Sequence, residues 1–455
     1  MRDVVRTRPL ETLGVVRYRF CYYIIVLRGT PHDNEPLVPC SETCVPCQAF
    51  RLSPVKARMP NYTYVIVGGG MTAAAAVAGI REVDGDGSIG IIAAEPHPPY
   101  DRPPLSKALW KDKPLTSIWR TVDGKGVTLH QGRTARALDV RSKIVTDDQG
   151  TTYVFGKLLL ATGCTPRRLP FGDDLIIYFR TLDDYERLRG LTEHGDRFAV
   201  IGGGFIGSEV AAALAMNGKG VTLIFPDEAI GSRMYPPELA TFLNAFYRGK
   251  GVEMLAGTTV TGCESRKGKV VVQVRDVATK REREIIADGV VAGIGVQPNV
   301  ELAQAAQLTV DNGIRVNASL RTDHPDIYAA GDVASIHDPT LNQWRRVEHE
   351  DNANSMGGHA GVAMAGRMVS YDHLPFFYSD LFEMGYEAVG EVDSHLEMVV
   401  DWKNPCKEGV VYYLRERRVR GVLLWNVYGM VDGGRRLIAS TDFFTPADLK
   451  GRLPL

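Results

Sequence analysis

The feature that most constrains the fold is a glycine-rich segment that occurs twice, YVIVGGG at 64–70 and FAVIGGG at 198–204. Each copy is a short apolar run followed by a glycine turn and an alanine-rich stretch, the pattern that begins a strand–turn–helix unit for nucleotide binding. From residue 62 onward, short Val/Ile/Leu runs alternate with helical stretches, which is typical of parallel sheets covered by helices. The sequence therefore predicts an α/β fold with two nucleotide-binding units.

Composition excludes several classes of function. A chain of 455 residues is long enough for two or three domains. Its 53 Lys and Arg against 54 Asp and Glu give a formal net charge of -1, so nucleic acid is not an expected partner. The longest apolar run near the start, 20–27, is too short to span a bilayer. Seven cysteines in a chain of this length do not suggest a disulfide scaffold, which favours a cytoplasmic location.

The first glycine fingerprint reads Gly68-x-Gly70-x-x-Ala73. In such a turn the first glycine allows the tight bend and the second lets the backbone approach a pyrophosphate, which binds the free N–H groups of the helix start. The next strand is followed by Glu95, whose carboxylate would accept both hydroxyls of an adenosine ribose. This combination predicts the first dinucleotide site.

The second fingerprint, Gly202-x-Gly204-x-x-Gly207, is complete. Its next strand is followed by Asp227, which favours a free ribose 2′-hydroxyl and hence NADH, whereas Arg233 nearby could bind the 2′-phosphate of NADPH. NADH is the preferred interpretation.

Two units imply two dinucleotides, and a flavin reduced by a nicotinamide is the economical pair. Two apolar runs that end in small-residue turns support this: KLLLATG, with Thr162 and Gly163, and IYAAGD, with Gly331 and Asp332. Asp332 could bond the ribityl chain of FAD. The predicted fold is therefore two Rossmann-like domains, for FAD and NAD, plus a small C-terminal α+β domain.

The segment PYDRPPLSK at 99–107 resembles the flavin-adjacent motif of NADH-dependent ferredoxin and rubredoxin reductases and of apoptosis-inducing factor. These proteins belong to the FAD-dependent pyridine nucleotide-disulfide oxidoreductase superfamily. The resemblance to apoptosis-inducing factor extends over residues 62 to about 430 through the segments LIFPD (223–227), RRVEH (345–349), YSDL (378–381) and GYEAVG (385–390).

The resemblance implies that Arg102 and Lys107 contact the flavin, with Lys107 near N5 and paired with Glu209 as the catalytic pair. A reduced flavin is anionic, so an ammonium beside it stabilises the reduced state. The alternative is that Lys107 is a solvated helix residue and Glu209 complements a helix N-terminus. By the same resemblance, the other FAD and junction residues are Arg180, Asp332, Glu348, His349 and Tyr378, and the nicotinamide cofactor is bound by Asp227, Arg233, Gly295, Glu387 and Asn426.

Four departures from apoptosis-inducing factor bear on these expectations. Ala73 replaces the third glycine, Asp227 replaces a glutamate, and Tyr378 replaces a tryptophan. The long insertion in the C-terminal domain is largely absent from the residues after Pro375, so cell-death activity is not expected here.

No cysteine lies in the helix after Gly70 or in the 99–107 segment, so dithiol chemistry is not expected. Cys164 is interpreted as a structural thiol. His349 and His359 lack a third ligand at a suitable spacing, so no metal site is predicted.

The expected domains are 59–177 (FAD, first part), 178–294 (NAD), 295–374 (FAD, second part) and 375–455 (C-terminal). Residues 1–58 are expected to be a disordered extension or to precede the true start at Met59. Alternatives for this segment are a transit peptide, or an iron-sulfur cluster on Cys40, Cys44 and Cys47.

The expected function is an NADH-dependent FAD oxidoreductase that passes electrons to a ferredoxin or rubredoxin, a quinone or another small acceptor. The alternative is an NADH-sensing protein that forms a long-lived charge-transfer complex and changes its dimerisation or partner binding. A homodimer, which could depend on NADH, is also expected.

Overall fold

The computed structural model describes residues 59–454 except 123 and 125, together with the two-residue strands Arg17–Tyr18 and Cys21–Tyr22, which pair antiparallel. These two strands belong to one unit, Met1–Ala57, and the architecture below belongs to a second, Arg58–Leu455. The cluster considered for Cys40, Cys44 and Cys47 lies outside the described residues.

The first glycine turn follows the central strand of a parallel sheet whose inner strands are buried toward their carboxyl ends, whereas the edge strand Val127–Gln131 has no fully buried residue. Burial on both faces explains why the buried parts of the inner strands are apolar runs that do not alternate with polar residues. An antiparallel hairpin, Ala135–Asp139 and Ile144–Asp147, extends from the amino-terminal half of one of them. The parallel order is Val127–Gln131, Ile89–Ala93, Asn61–Val67, Thr152–Leu160 and Ile327–Ala329.

Two helices of this domain, Met71–Val83 and Glu350–Met364, touch through their backbones. A Cβ on Gly361 would lie 2.2 Å from the Ala76 carbonyl oxygen, and one on Gly357 would lie 2.5 Å from that of Thr72. Only glycine permits such an approach. The helices run in the same direction, so both begin at the same end of the domain, where the site lies.

The second glycine turn belongs to another parallel sheet, followed by a separate antiparallel one. A Cβ on Gly207 would lie 1.8 Å from the Gly202 carbonyl oxygen, so the third glycine lets the helix pack directly on the turn. The parallel order is Ile176–Tyr178, Gly289–Ala292, Arg197–Ile201, Gly220–Ile224 and Glu253–Leu255. The antiparallel strands are Thr258–Arg266, Lys269–Asp276 and Glu282–Ala287, and the helices are Leu182–His194, Phe205–Met216 and Pro237–Gly249.

The chain leaves the first domain and returns to it through a two-stranded ribbon, Cys164–Pro166 and Val296–Pro298. The segment between this ribbon and the C-terminal domain contains the short helix Glu301–Ala305 and the strands Ile314–Val316, Ala334–Asp338 and Gln343–Arg345. The 3₁₀ helices are Pro103–Ser106, Ala108–Trp110, Leu115–Ile118, Asp173–Leu175 and Gly331–Val333.

The C-terminal domain is a five-stranded antiparallel sheet with two helices. The order is Phe376–Leu381, Met384–Gly390, Arg418–Trp425, Glu408–Arg415 and Glu397–Asn404, and the helices are Val431–Ala439 and Pro446–Leu449. The predicted fold class, two Rossmann-like domains with a small C-terminal α+β domain, is confirmed. Within the described part of the chain, no helix has the length and apolar character needed to cross a membrane.

Candidate active site

A cavity of about 970 Å³ lies where both glycine turns, the 99–107 segment and the first strand of the C-terminal sheet meet. Its volume is at the upper end of the range for small-molecule sites. Four α-helices begin in its wall, at Gly70, Thr181, Gly204 and His349. The topology thus directs four helix N-termini toward one space.

The two glycine fingerprints have the geometry that a phosphate requires. Gly68 and Gly202 have φ of +119° and +111°, and a Cβ on either would collide with a backbone carbonyl, so they form the tight turns. Gly70 and Gly204 are the N-caps of their helices, no side chain caps either helix, and a Cβ at either position would meet nothing within 4 Å. Open space in front of uncapped N–H groups suits a pyrophosphate at both turns.

Glu95, Tyr100 and Arg102 form a linked group in the cavity region. The Tyr100 hydroxyl donates to Glu95 Oε2 at 2.5 Å, and Arg102 forms an ion pair with Glu95 Oε1. Arg102 also donates to the Arg180 carbonyl oxygen at 2.8 Å. Each carboxylate oxygen of Glu95 keeps a second lone pair for a ribose hydroxyl. Tyr100 was not identified from the sequence, although it belongs to the quoted motif.

The predicted middle part of the FAD site also lies in the wall. Arg180 Nη2 lies 2.6 Å from Asp332 Oδ2, and Thr162 Oγ1 donates to the Asn299 carbonyl oxygen at 2.7 Å. Gly163, like Gly70, faces open space. Gly331, with φ of +76°, lies behind the wall, where a Cβ would meet Thr72 Oγ1 at 2.3 Å.

Lys107 and Glu209 form the ion pair that the resemblance implied, with Nζ 2.7 Å from Oε2 and exposures of 10 % and 2 %. The hydroxyls of Ser106 and Ser379 each donate to this carboxylate at 2.6 Å. The Lys107 ammonium also lies 5.3 Å from the centre of the Tyr378 ring. A buried carboxylate with three donors is fully satisfied, and a lysine this buried is not a solvated helix residue.

Both serines were missed by the sequence analysis. Ser106 stands inside the quoted motif, and Ser379 stands inside the quoted YSDL segment. Neither has a spacing that marks it as a partner of Glu209, because the contact joins three distant parts of the chain.

Aromatic rings form another part of the wall. The His349 imidazole stacks on Phe377 with centroids 4.3 Å apart, and the Phe205 ring meets Phe377 edge-on at 5.6 Å. Although His349 is partly exposed to the cavity, desolvation by its surroundings lowers its pKa to about 4, so the imidazole is neutral at pH 7. Glu348, next to it, pairs with Arg346 at 2.6 Å.

Of the three cysteines whose side chains are described, Cys164 lines the cavity, and Cys263 and Cys406 do not. Burial raises the pKa of its thiol to about 12, and Arg346 Nη1 donates to its sulfur at 3.2 Å. A thiol that stays protonated is a poor nucleophile. No cluster of three metal-ligating side chains is found among the described residues.

The residues expected to bind the nicotinamide cofactor are spread more widely. Gly295, with φ of +94°, lines the cavity, whereas Asp227, Arg233, Glu387 and Asn426 do not. Arg233 Nη2 lies 3.7 Å from Asp227 Oδ1 at the surface. Glu387 accepts from the Gly429 N–H at 2.9 Å, and Asn426 Oδ1 accepts from the Gly385 N–H at 2.7 Å. Their assignment to this cofactor stays a prediction.

Comparisons with known proteins agree with this geometry. Residues 62–371 match the family model for pyridine nucleotide-disulphide oxidoreductases, and residues 360–408 match the C-terminal model of apoptosis-inducing factor. The ferredoxin–NAD(+) reductase component of the anthranilate 1,2-dioxygenase system of Burkholderia cepacia is 36 % identical over 395 residues, 85 % of this chain and 96 % of that protein. Apoptosis-inducing factor 1 of Dictyostelium discoideum is 33 % identical over 422 residues, 83 % and 78 % of the two chains.

The crystal structure of the covalent putidaredoxin reductase–putidaredoxin complex matches with a TM-score of 0.77 and 32 % identity, covering 84 % of this chain and 93 % of that one. The match to the family model spans well over half of the chain. The chain therefore belongs to the pyridine nucleotide-disulphide oxidoreductase family and is an NAD(P)H-dependent, FAD-containing oxidoreductase.

Proposed function

We propose that the protein oxidises NADH with a bound FAD and passes the electrons to a ferredoxin- or rubredoxin-type carrier. The observation that carries this proposal is the shared cavity: two uncapped helix starts and the buried Lys107–Glu209 pair face one space. An ammonium held between the two dinucleotide sites suits transfer between two cofactors.

Different residues along the cavity would bind different parts of FAD. The helix start at Gly70 would hold the FAD pyrophosphate and Glu95 its adenosine ribose, while Arg180 and Asp332 would hold its middle part. The bound FAD supplies the capacity to take two electrons from a nicotinamide and release them singly. Lys107, oriented by Glu209, would place a positive charge beside the ring.

The aromatic side of the wall would receive the nicotinamide. The stacked His349 and Phe377 rings, with Phe205 edge-on, present flat apolar surfaces that exclude water. Because His349 is neutral, it does not repel a cationic oxidised nicotinamide.

We assign NADH as the nucleotide, not NADPH, because Asp227 follows the strand of the second fingerprint. A carboxylate accepts from ribose hydroxyls and repels a 2′-phosphate. The exposed Arg233 beside it, 81 % accessible, is the feature that opposes this assignment.

A protein carrier is proposed as the acceptor because two proteins whose names include such a carrier, the Burkholderia cepacia ferredoxin–NAD(+) reductase component and putidaredoxin reductase, match over 96 % and 93 % of their own length. A disulfide acceptor is disfavoured because the cavity offers one described cysteine, whose thiol stays protonated. A small-molecule acceptor is the competing outcome, since monodehydroascorbate reductase 4 of Arabidopsis thaliana is 34 % identical over 359 residues, 72 % of each chain.

The test uses FAD-saturated protein under anaerobic conditions. One equivalent of NADH should bleach the flavin absorbance near 450 nm within seconds and NADPH much more slowly, and two equivalents of an oxidised [2Fe–2S] ferredoxin or rubredoxin, each taking one electron, should then restore it. Protein that keeps its colour with NADH would overturn the oxidoreductase assignment. If a quinone or monodehydroascorbate restores the flavin absorbance and neither protein carrier does, the proposal that the acceptor is a protein carrier would be overturned.

A second candidate is an NADH-sensing protein that acts through association. The match of residues 360–408 to the C-terminal model of apoptosis-inducing factor favours it. Light scattering with and without NADH tests it: an NADH-dependent increase in mass together with slow acceptor turnover would support sensing, and fast turnover at constant mass would exclude it.

A further inference from the structure

The loop 225–236, which carries Asp227 and Arg233, is held from outside its own domain. The Tyr413 hydroxyl, in the C-terminal sheet, donates to the Met234 carbonyl oxygen at 2.7 Å. The Ser394 N–H donates to the Arg233 carbonyl oxygen at 3.0 Å. The side chain of Tyr413 is fully buried, so this hydrogen bond is shielded from water.

Ring packing fixes the same end of the loop. Tyr235 meets Tyr386 edge-on at 5.8 Å and Trp425 at 5.7 Å between centroids, and all three rings are buried. Edge-on aromatic pairs prefer a defined geometry, so they orient as well as bury the loop. The C-terminal domain therefore determines where the chain lies just after Arg233.

The middle of the loop is tied to the nucleotide-binding turn, and the end that carries Asp227 is tied to the segment after the strand Glu253–Leu255. The Gly231 N–H donates to the Gly203 carbonyl oxygen at 3.1 Å, and the Gly257 N–H donates to that of Asp227 at 2.9 Å. The Asp227 and Arg233 side chains are 40 % and 81 % exposed. Because solvent-exposed side chains are held weakly, the backbone anchors at the two ends set their positions.

We propose that Tyr413 is a positioning residue for the pyridine nucleotide. Through Met234 it holds Arg233 in place relative to Asp227, so the C-terminal domain contributes to nucleotide affinity and to the choice between NADH and NADPH. This inference rests on the proposed function, in which Asp227 binds the adenosine ribose and Arg233 lies beside it. If the loop spends part of its time in other positions, the apparent affinity for the nucleotide falls in proportion to the fraction of molecules whose loop is correctly placed.

The test compares Tyr413→Phe with Tyr412→Phe in the FAD-loaded protein. Tyr412 is the preceding residue of the same strand and equally buried, but its hydroxyl accepts from the Leu453 N–H at 3.3 Å, away from the loop. Each variant loses one hydroxyl that forms one buried hydrogen bond. The pair thus separates positioning from general stability.

The readouts are KM and kcat for NADH and NADPH with ferricyanide as an artificial acceptor. Tyr413→Phe should raise KM for NADH about 2- to 10-fold, the range of one lost hydrogen bond, and change the NADH/NADPH ratio of kcat/KM, with kcat within 2-fold. Tyr412→Phe should leave all of these values unchanged. Equal kinetics in the two variants would overturn the inference.

Two further variants complete the experiment. Trp425→Phe, which trims a ring packed on Tyr235, should shift KM in the same direction as Tyr413→Phe and tests the anchor independently of that variant. Asp227→Ala tests the proposed site: an unchanged KM for NADH would reject the ribose assignment itself. A raised KM in Asp227→Ala beside a normal one in Tyr413→Phe would reject only the positioning role.

Discussion

Replacing Glu209 by alanine would remove the acceptor that three buried donors share. Lys107 Nζ lies 2.7 Å from this carboxylate, and Ser106 Oγ and Ser379 Oγ each lie 2.6 Å from it. The ammonium would remain in a place where it is only 10 % exposed. The variant therefore leaves an uncompensated charge inside the protein.

The expected cost follows from this burial. Removing one partner of a buried ion pair costs about 3–5 kcal/mol. The upper end applies here, because the Ser379 hydroxyl, in a residue that is 1 % exposed, loses its acceptor as well. Ser106 is less affected, since the Pro103 carbonyl oxygen lies 3.5 Å from its hydroxyl.

The chain offers a matched control. Lys250 and Glu383 also lie 2.7 Å apart, but their side chains are 36 % and 59 % exposed. Glu383→Ala should therefore cost at most about 1 kcal/mol. Urea unfolding, with FAD at one saturating concentration throughout, measures both variants against the wild type.

A third variant separates charge burial from packing. Lys107→Met combined with Glu209→Leu removes both charges, and it should be more stable than Glu209→Ala alone, since apolar replacement of a whole buried pair is often neutral. The reasoning would be refuted if Glu209→Ala lost no more stability than Glu383→Ala, or if the double variant were the least stable of the set.

Other consequences concern packing, protonation and thiol reactivity. Gly361→Ala should lower the free energy of unfolding by about 1–3 kcal/mol, since its Cβ would lie 2.2 Å from the Ala76 carbonyl oxygen. Gly358→Ala in the same helix, with nothing within 4 Å of the new Cβ, should be neutral or stabilising by up to about 1 kcal/mol. Thermal unfolding of both variants checks this pair of predictions, and an equal loss of stability in the two variants would contradict the backbone contact at Gly361. Because the pKa of His349 lies near 4, below its unfolded value of about 6.5, the unfolded chain binds the proton first and stability falls as pH drops through this window. Urea unfolding at pH 7 and pH 4.5 should therefore show a smaller loss for His349→Phe than for the wild type, and an identical loss would contradict the lowered pKa. With the pKa of Cys164 raised to about 12, iodoacetamide at pH 8 should leave the peptide containing it unlabelled in a mass-spectrometric digest, and rapid labelling would show that the thiol is not desolvated.

The parts of the fold that depend on local spacing could be predicted from the sequence. The bends at Gly68 and Gly202 and the open helix starts at Gly70 and Gly204 follow from a few adjacent residues, because a positive φ or a close approach restricts the position to glycine. The Lys107–Glu209 pair came from the resemblance to known reductases and apoptosis-inducing factor. No local pattern would have joined these two residues.

The contacts between distant segments could not be predicted in this way. Ser379 reaches Glu209 only because the C-terminal sheet packs on the helix Phe205–Met216, and nothing in the sequence distinguishes this serine from others. The glycines of the helix Glu350–Met364 likewise have no sequence motif, although their contact with Met71–Val83 brings two helix starts to the cavity. Glu387 and Asn426, expected at the nicotinamide cofactor, lie outside the cavity wall.

A crystal structure of the protein with FAD and NAD⁺ would test the central claim most directly. The account predicts phosphate density at both helix starts, Gly70 and Gly204, and Lys107 Nζ within hydrogen-bonding distance of the flavin ring while still paired with Glu209. Density at only one helix start, or a Lys107 side chain turned toward solvent, would contradict it.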